Sequence, residues 1–263
     1  MLEGKNIKII DLSIAVESGL PSDPPDYRPY IDYQNHKDTA KDMLEYFGDA
    51  SLEDLPDGNG WAVEFLKIST HGGTHIDAPY HYYPTMNGGE RAWTIDEIPL
   101  DWFHGPAVVV DFTDKPDGYK VEPEDFREYF KRIGYTLKPG DIVLVNTGAS
   151  KKWGKAEYLS SGCGMSKAAT LWLADQGIRV MGTDAWSWDR PLPIEAKDFD
   201  KTHDKELIWE AHRAGAIKAY CHIEKLTNLE ALPVTGSHFF CFPVKIKAAS
   251  AGWIRAVAFV EEK

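Results

Sequence analysis

The spacing of apolar and polar positions along the chain changes several times, and each change predicts an element. Residues 7–15, IKIIDLSIA, alternate well enough for a first strand. Pro21, Pro24, Pro25 and Pro29 then open a long irregular arm that runs to about residue 60. An arm of that length inside one domain is a functional cover, an intersubunit arm or a tolerated surface insertion. WAVEFLKIS (61–69) returns to period two, and PAVVVDF (106–112) reads as a strand buried on both faces. VEPEDFREYFKRIG (121–134) is bracketed as an amphipathic helix by Pro123 and acidic residues at its start and by Lys131, Arg132 and Gly134 at its end. DIVLVNTG (141–148) is a strand, Ser166 caps a helix that stops at Gly177, and IRVMGTD (178–184) is the next strand. This β-loop-α-β unit argues for α/β layering. KELIWEAHRAG (205–215) predicts a further helix with a glycine stop, followed by the strand AIKAYCHIE, and FPVKI and WIRAVAFV close the chain as strands.

Composition narrows the partners. The 263 residues are 43% hydrophobic and 27% charged, which is globular and fits one domain spanning 1–263. With 29 Lys and Arg against 41 Asp and Glu, the formal charge is −12, so no nucleic acid and no anionic membrane surface is expected as a partner. Cys163, Cys221 and Cys241 are too few and too scattered for a disulfide framework or a paired zinc spacing, which fits a reducing cytoplasm. Glu3, Lys5, Lys8 and Asp11 interrupt the apolar stretch that a signal peptide would need, and no run approaches a bilayer span.

The chemistry concentrates in HGGTHIDAPYH (71–81). Nine histidines in 263 residues predict roughly 0.4 in any window of this length; this one holds three, with an aspartate. His71, His75, Asp77 and His81 are all odd-numbered, so a locally extended course points them to one face. Gly72 and Gly73 permit unusual backbone turns and Pro79 blocks a regular helix, which predicts a strand-end loop around a small object. Taken singly, each histidine reads as a loop cap or a satisfied core group. Together they read as nitrogen and oxygen ligands for zinc, manganese or ferrous iron, with positions left open for catalysis. Elsewhere, GASKKWGK (148–155) has five residues between its glycines where a phosphate loop needs four, and no G-x-S-x-G elbow occurs. Asp184 and Asp189 in GTDAWSWDR read as carboxylates that fix turns.

The segment matches H-x-G-T-H-x-D-x-P-x-H at every fixed position. It thereby resembles the metal-dependent cyclase-like hydrolases, which include bacterial kynurenine formamidase and isatin hydrolase. IIDLS, GDIVLVNTG, GMSKAATLWLADQGI, MGTDAWSWD and the terminal strands extend the resemblance over nearly the whole chain. It implies a swivelling β/β/α fold, with a central mixed sheet or barrel-like β core flanked by helices. It also implies a metal on His71, His75 and Asp77, with His81 as the proton-transfer residue. His212 and Glu224, twelve positions apart in AHRAGAIKAYCHIE, match a further catalytic pair that binds a second zinc in the formamidase branch. The isatin-hydrolase branch works with one manganese, so Mn²⁺ or Zn²⁺, as one ion or two, is expected. The chain length favours the isatin-hydrolase branch.

A divalent ion that activates water and polarises a carbonyl favours acyl hydrolysis. Trp61, Phe65 and Trp93, with Tyr80, Tyr82 and Tyr83, are candidates to line a flat apolar pocket. The expected substrate is a small cyclic amide or imide, or an aryl formamide. The alternatives are a lactone hydrolase and a metal-containing small-molecule binding protein without turnover. The resemblance further implies a homodimer or higher homo-oligomer, with the arm crossing to a neighbour.

Overall fold

The structure is a computed structural model that describes residues 6–262; Glu3 and Lys5, used above in reading the N-terminus, lie outside them. Nine strands form one curled mixed sheet: β1 (Ile7–Asp11), β2 (His75–Asp77), β3 (His104–Asp111), β4 (Ile142–Asn146), β5 (Val180–Thr183), β6 (Cys221–Glu224), β7 (Ser237–Phe240), β8 (Ala251–Trp253) and β9 (Val257–Glu261). Their order is β1-β9-β7-β3-β4-β5-β6-β2-β8. β3 to β6 run parallel, and every other neighbouring pair is antiparallel. The result is a single-domain α/β fold with the sheet curled as a half-barrel and helices against it.

The continuous apolar runs of β3 and β4 explain the layering, because alternate residues leave opposite faces of a strand. Val108, Val110, Val143 and Val145 pack against Phe126, Phe130 and Leu173 from helices α1 (Pro123–Ile133) and α2 (Lys167–Asp175). Val109 and Leu144 point the other way, into a second core with Ile76, Ile223, Phe239 and Ala258. Both helices begin and end where the sequence predicts. The Ser166 hydroxyl accepts the Ala169 N–H at 3.0 Å, and Gly134 closes α1 in the left-handed conformation, φ 65°.

Three expectations need correction. The strand of 61–69 forms as Val63–Lys67, but it pairs with Tyr30–Gln34 of the arm in a separate two-stranded ladder. The predicted helix 205–215 is instead a short 3-10 turn, a bend and one helical turn at Ala214–Ile217. There Trp209 takes a left-handed backbone, φ 57°, and Asp189 captures the Ala211 and His212 N–H groups that a helix would use. FPVKI contributes only an isolated bridge, while SHFF just before it supplies β7. Helix α3 (Leu192–Thr202) has no counterpart among the elements predicted above; Pro191 and Pro193 stand at its start, where prolines are at home. Among the described residues, no helix is long and apolar enough to cross a membrane.

Candidate metal centre

The short strand β2 lies between β6 and β8, and its register sets the centre. His75 stands opposite Glu224 and Asp77 opposite His222 on β6. Because residues two apart share a face, one side of this ladder carries two imidazoles and two carboxylates. His212 joins them from the turn before Ala214–Ile217. His71 comes from the glycine turn, and His81 from the single helical turn Pro79–Tyr82. Pro79 therefore opens a helical turn rather than preventing one, since its missing N–H is not needed at that position.

Two sets of ligand atoms converge on Asp77. Asp77, His212, His222 and Glu224 form one, all buried, and His71, Asp77 and His81 form the other; within each set the atoms lie within 4.8 Å of one another. Nε2 of His222 is 3.2 Å from Asp77 Oδ2 and 3.3 Å from Glu224 Oε1, and Nε2 of His212 is 3.8 Å from the same Glu224 oxygen. Nδ1 of His71 is 2.9 Å from Asp77 Oδ1, and Nε2 of His81 is 3.7 Å from Asp77 Oδ2. His75 belongs to neither set but adjoins both carboxylates, with Nε2 at 3.3 Å from Asp77 and 3.5 Å from Glu224.

A surrounding layer aims these rings. His75 Nδ1 donates to the Gly73 carbonyl at 2.9 Å, leaving the Nε2 lone pair turned inward. His222 Nδ1 faces the Tyr220 hydroxyl at 3.3 Å, and that hydroxyl donates onward to the Ala211 carbonyl. His212 Nδ1 is held by Asp189 in a very short contact. Sequence reasoning gave Asp189 a turn role; it does organise a turn, but in doing so it also fixes a ring of the centre. Asp184 does act as read, accepting from Thr147 and Ser150.

Burial drives the pKa values apart. It pushes His212 down to about 3, and it does the same to His81 against the pull of Asp77, so both imidazoles are neutral at pH 7. His222 is buried too, yet the Asp77 and Glu224 carboxylates beside its Nε2 raise it to about 9. Glu224 falls to about 2 because His222 outweighs the effect of burial. The buried Nε2 atoms of His75 and His222 and both oxygens of Asp77 have no hydrogen-bond partner. Such atoms cost free energy unless something else satisfies them, and imidazole nitrogens with carboxylate oxygens are the donor set of a divalent transition metal. The residues fit such an ion.

The centre opens into a cavity of about 270 Å³. His71, His81, His212 and Glu224 line it, with Trp186, Trp209 and Tyr27 as its aromatic wall and Asp23 and Lys225 at its edge. Lys225 donates to Asp23 at 2.5 Å, which fastens the start of the arm beside the site. Trp61, Phe65 and Trp93 lie elsewhere. Trp61 meets Tyr46 within the arm, Phe65 is 58% exposed on the arm's ladder, and Trp93 packs against Trp102 on the core. Sequence reasoning also missed His222; the available signal was its position two residues before Glu224 on a predicted strand.

A family model for cyclases matches residues 10–190. The chain belongs to the cyclase family. Among curated members, the kynurenine formamidase of Erythrobacter litoralis is 26% identical over 253 residues, 95% of this chain and 93% of the relative. That of Salinibacter ruber is 28% identical over 192 residues, 73% and 77% of the two chains. Isatin hydrolase A from Labrenzia aggregata superposes with a TM-score of 0.71 at 25% identity, covering 97% of this chain and 94% of that one. An isatin hydrolase bound to the product analogue thioisatinate shares the cyclase-family fold, with a TM-score of 0.75 at 19% identity.

Proposed function

We propose that this cyclase-family protein is a metal-dependent hydrolase that opens a small cyclic amide or imide, as an isatin hydrolase does, or cleaves an aryl formamide. At the coarser level the enzyme is an amide hydrolase of non-peptide C–N bonds, in line with its relatives. The observation that carries the reading is the pair of ligand sets meeting at Asp77, whose two buried carboxylate oxygens have no hydrogen-bond partner. Both sets use Asp77, so two ions would share it: His212, His222 and Glu224 would hold one and His71 the other, with His75 adjoining both carboxylates. A divalent cation held there would supply an activated water and polarise the substrate carbonyl.

The remaining work falls to the chain. His81 faces the cavity beside Asp77, where its imidazole would accept a proton and return it to the leaving nitrogen. Trp186, Trp209 and Tyr27 present flat apolar faces to an aryl ring. Hydrolysis of isatin, formanilide and a matched lactone by metal-loaded protein tests the proposal. Turnover of either amide supports it, preference for the lactone replaces it with an ester hydrolase, and a metal-loaded but inert protein leaves a binding function.

A further inference from the structure

Beside the catalytic cavity lies a second one of about 410 Å³, between helix α3 and the turn that carries Trp209. Leu192, Ala196, Phe199, Ile208 and Trp209 line it, with Glu195 as its single carboxyl. Leu192 and Trp209 also line the catalytic cavity, so the two spaces share a wall. Trp209 stacks on His212 with ring centroids 4.2 Å apart and stands edge-on to His81 at 5.0 Å.

Three features mark the second cavity as part of the site. The catalytic cavity alone falls short of the ~300–1,000 Å³ usual for small-molecule sites, whereas the two together fall within it. Leu192 and Ile208 stay 40% and 44% exposed, leaving apolar surface whose removal from water is favourable. Glu195 is only 4% exposed, and its Oε1 has no partner, an expensive arrangement for a cleft without a ligand. Burial, reinforced by Asp189, pushes the Glu195 carboxyl up to about 8 against the pull of Arg190, so at neutral pH it is a hydrogen-bond donor.

We propose that this cleft is a substituent subsite: the substrate carries an apolar chain or ring beyond its scissile amide, seated between α3 and Trp209. An ether or carbonyl oxygen on that substituent meets Glu195. Placing the amide on the His81 side rests on the hydrolase reading; the apolar preference of the cleft does not.

The test pairs turnover with binding in the metal-loaded protein. Turnover compares formanilide with 4-butylformanilide, and calorimetry compares benzoate with 4-butylbenzoate, which cannot be hydrolysed. The butyl group should raise both kcat/KM and affinity at least about tenfold, since each buried methylene is worth roughly a fourfold change. Ala196→Trp, at an exposed helix position, should fill the cleft and bring both ratios toward one. Phe199→Ala should lower them several-fold and stands in if the first variant does not fold. Butyl-selective binding that Ala196→Trp abolishes, without turnover of either anilide, keeps the cleft and removes the hydrolase reading. Turnover of both anilides at equal rates, with equal binding of the two benzoates, does the reverse. Binding of neither benzoate, or a preference that survives Ala196→Trp, overturns the subsite. Equal affinities in a protein that sediments as a dimer assign the cleft to a second copy, and overturn it too.

Discussion

The His222 imidazole and the Asp77 carboxylate face each other across one rung of the β6–β2 ladder, Nε2 to Oδ2 at 3.2 Å. That rung joins two parts of the chain far apart in sequence, and it puts His222 between both carboxylates of the centre. His222→Gln should therefore weaken the more buried ion at least about 100-fold, beyond the ~10–100-fold seen when only a supporting partner is lost. Asp77→Asn should abolish binding of both ions. Competition with a chelating dye reads the two cases. Unchanged stoichiometry in His222→Gln would remove His222 from the ligand set.

His81 touches the cavity but holds Asp77 only at 3.7 Å. If it moves the proton, His81→Ala should lower kcat by roughly 100-fold to 10,000-fold while the protein keeps its metal. Elemental analysis of the variant decides the point, since loss of an ion would make His81 a ligand instead.

Asp189 reaches the centre only through His212, whose Nδ1 and backbone N–H it holds. Asp189→Asn should cost ~10–100-fold in metal affinity by freeing the ring and the wrong tautomer. It should also loosen the turn at Trp209, because Asp189 accepts the Ala211 N–H as well. Tryptophan fluorescence follows the turn, and a chelator titration follows the ion. A variant with native affinity would reduce Asp189 to a turn residue.

Much of this centre was legible in the sequence because it is local. His71, His75, Asp77 and His81 lie within eleven positions, and two turns of the chain suffice to gather them. His222 and Asp189 act through long-range register and through a turn, neither of which residue spacing encodes. The helices capped by Ser166 and closed by Gly134 were predictable for the same reason, their signals being adjacent. Residues 205–215 have helical periodicity but lose their helix to a carboxylate more than ten residues upstream. Trp61 and Phe65 are near the motif in sequence yet line no part of the cavity, and the strand Val63–Lys67 pairs with the arm instead.

Stability on the acid side has its own marker, remote from the centre. Burial raises the Asp125 carboxyl, but the Lys115 ammonium at 2.6 Å, the Glu122 N–H and the Tyr119 hydroxyl together hold it below its ordinary 3.8. A depressed folded pKa adds stability above the unfolded value and loses it as pH falls through the folded one. Asp125→Asn should therefore destabilise the protein by about 1 kcal/mol at pH 7, typical of a helix-start carboxylate. The deficit should persist down to about pH 4 and shrink only below it. Thermal melts of both proteins across pH 2–7 check this; a deficit independent of pH would show that the charge of Asp125 is not what matters.

The central claim is that the residues around Asp77 hold a divalent cation on which hydrolysis depends. Elemental analysis of protein purified without added metal, joined to formanilide and isatin turnover before chelation, after it and after add-back, tests that claim most directly. The account predicts one or two divalent transition-metal ions per chain, turnover lost on chelation and restored by Mn²⁺ or Zn²⁺. Protein that binds no such ion under any condition, or that hydrolyses these amides equally well when stripped, would contradict it.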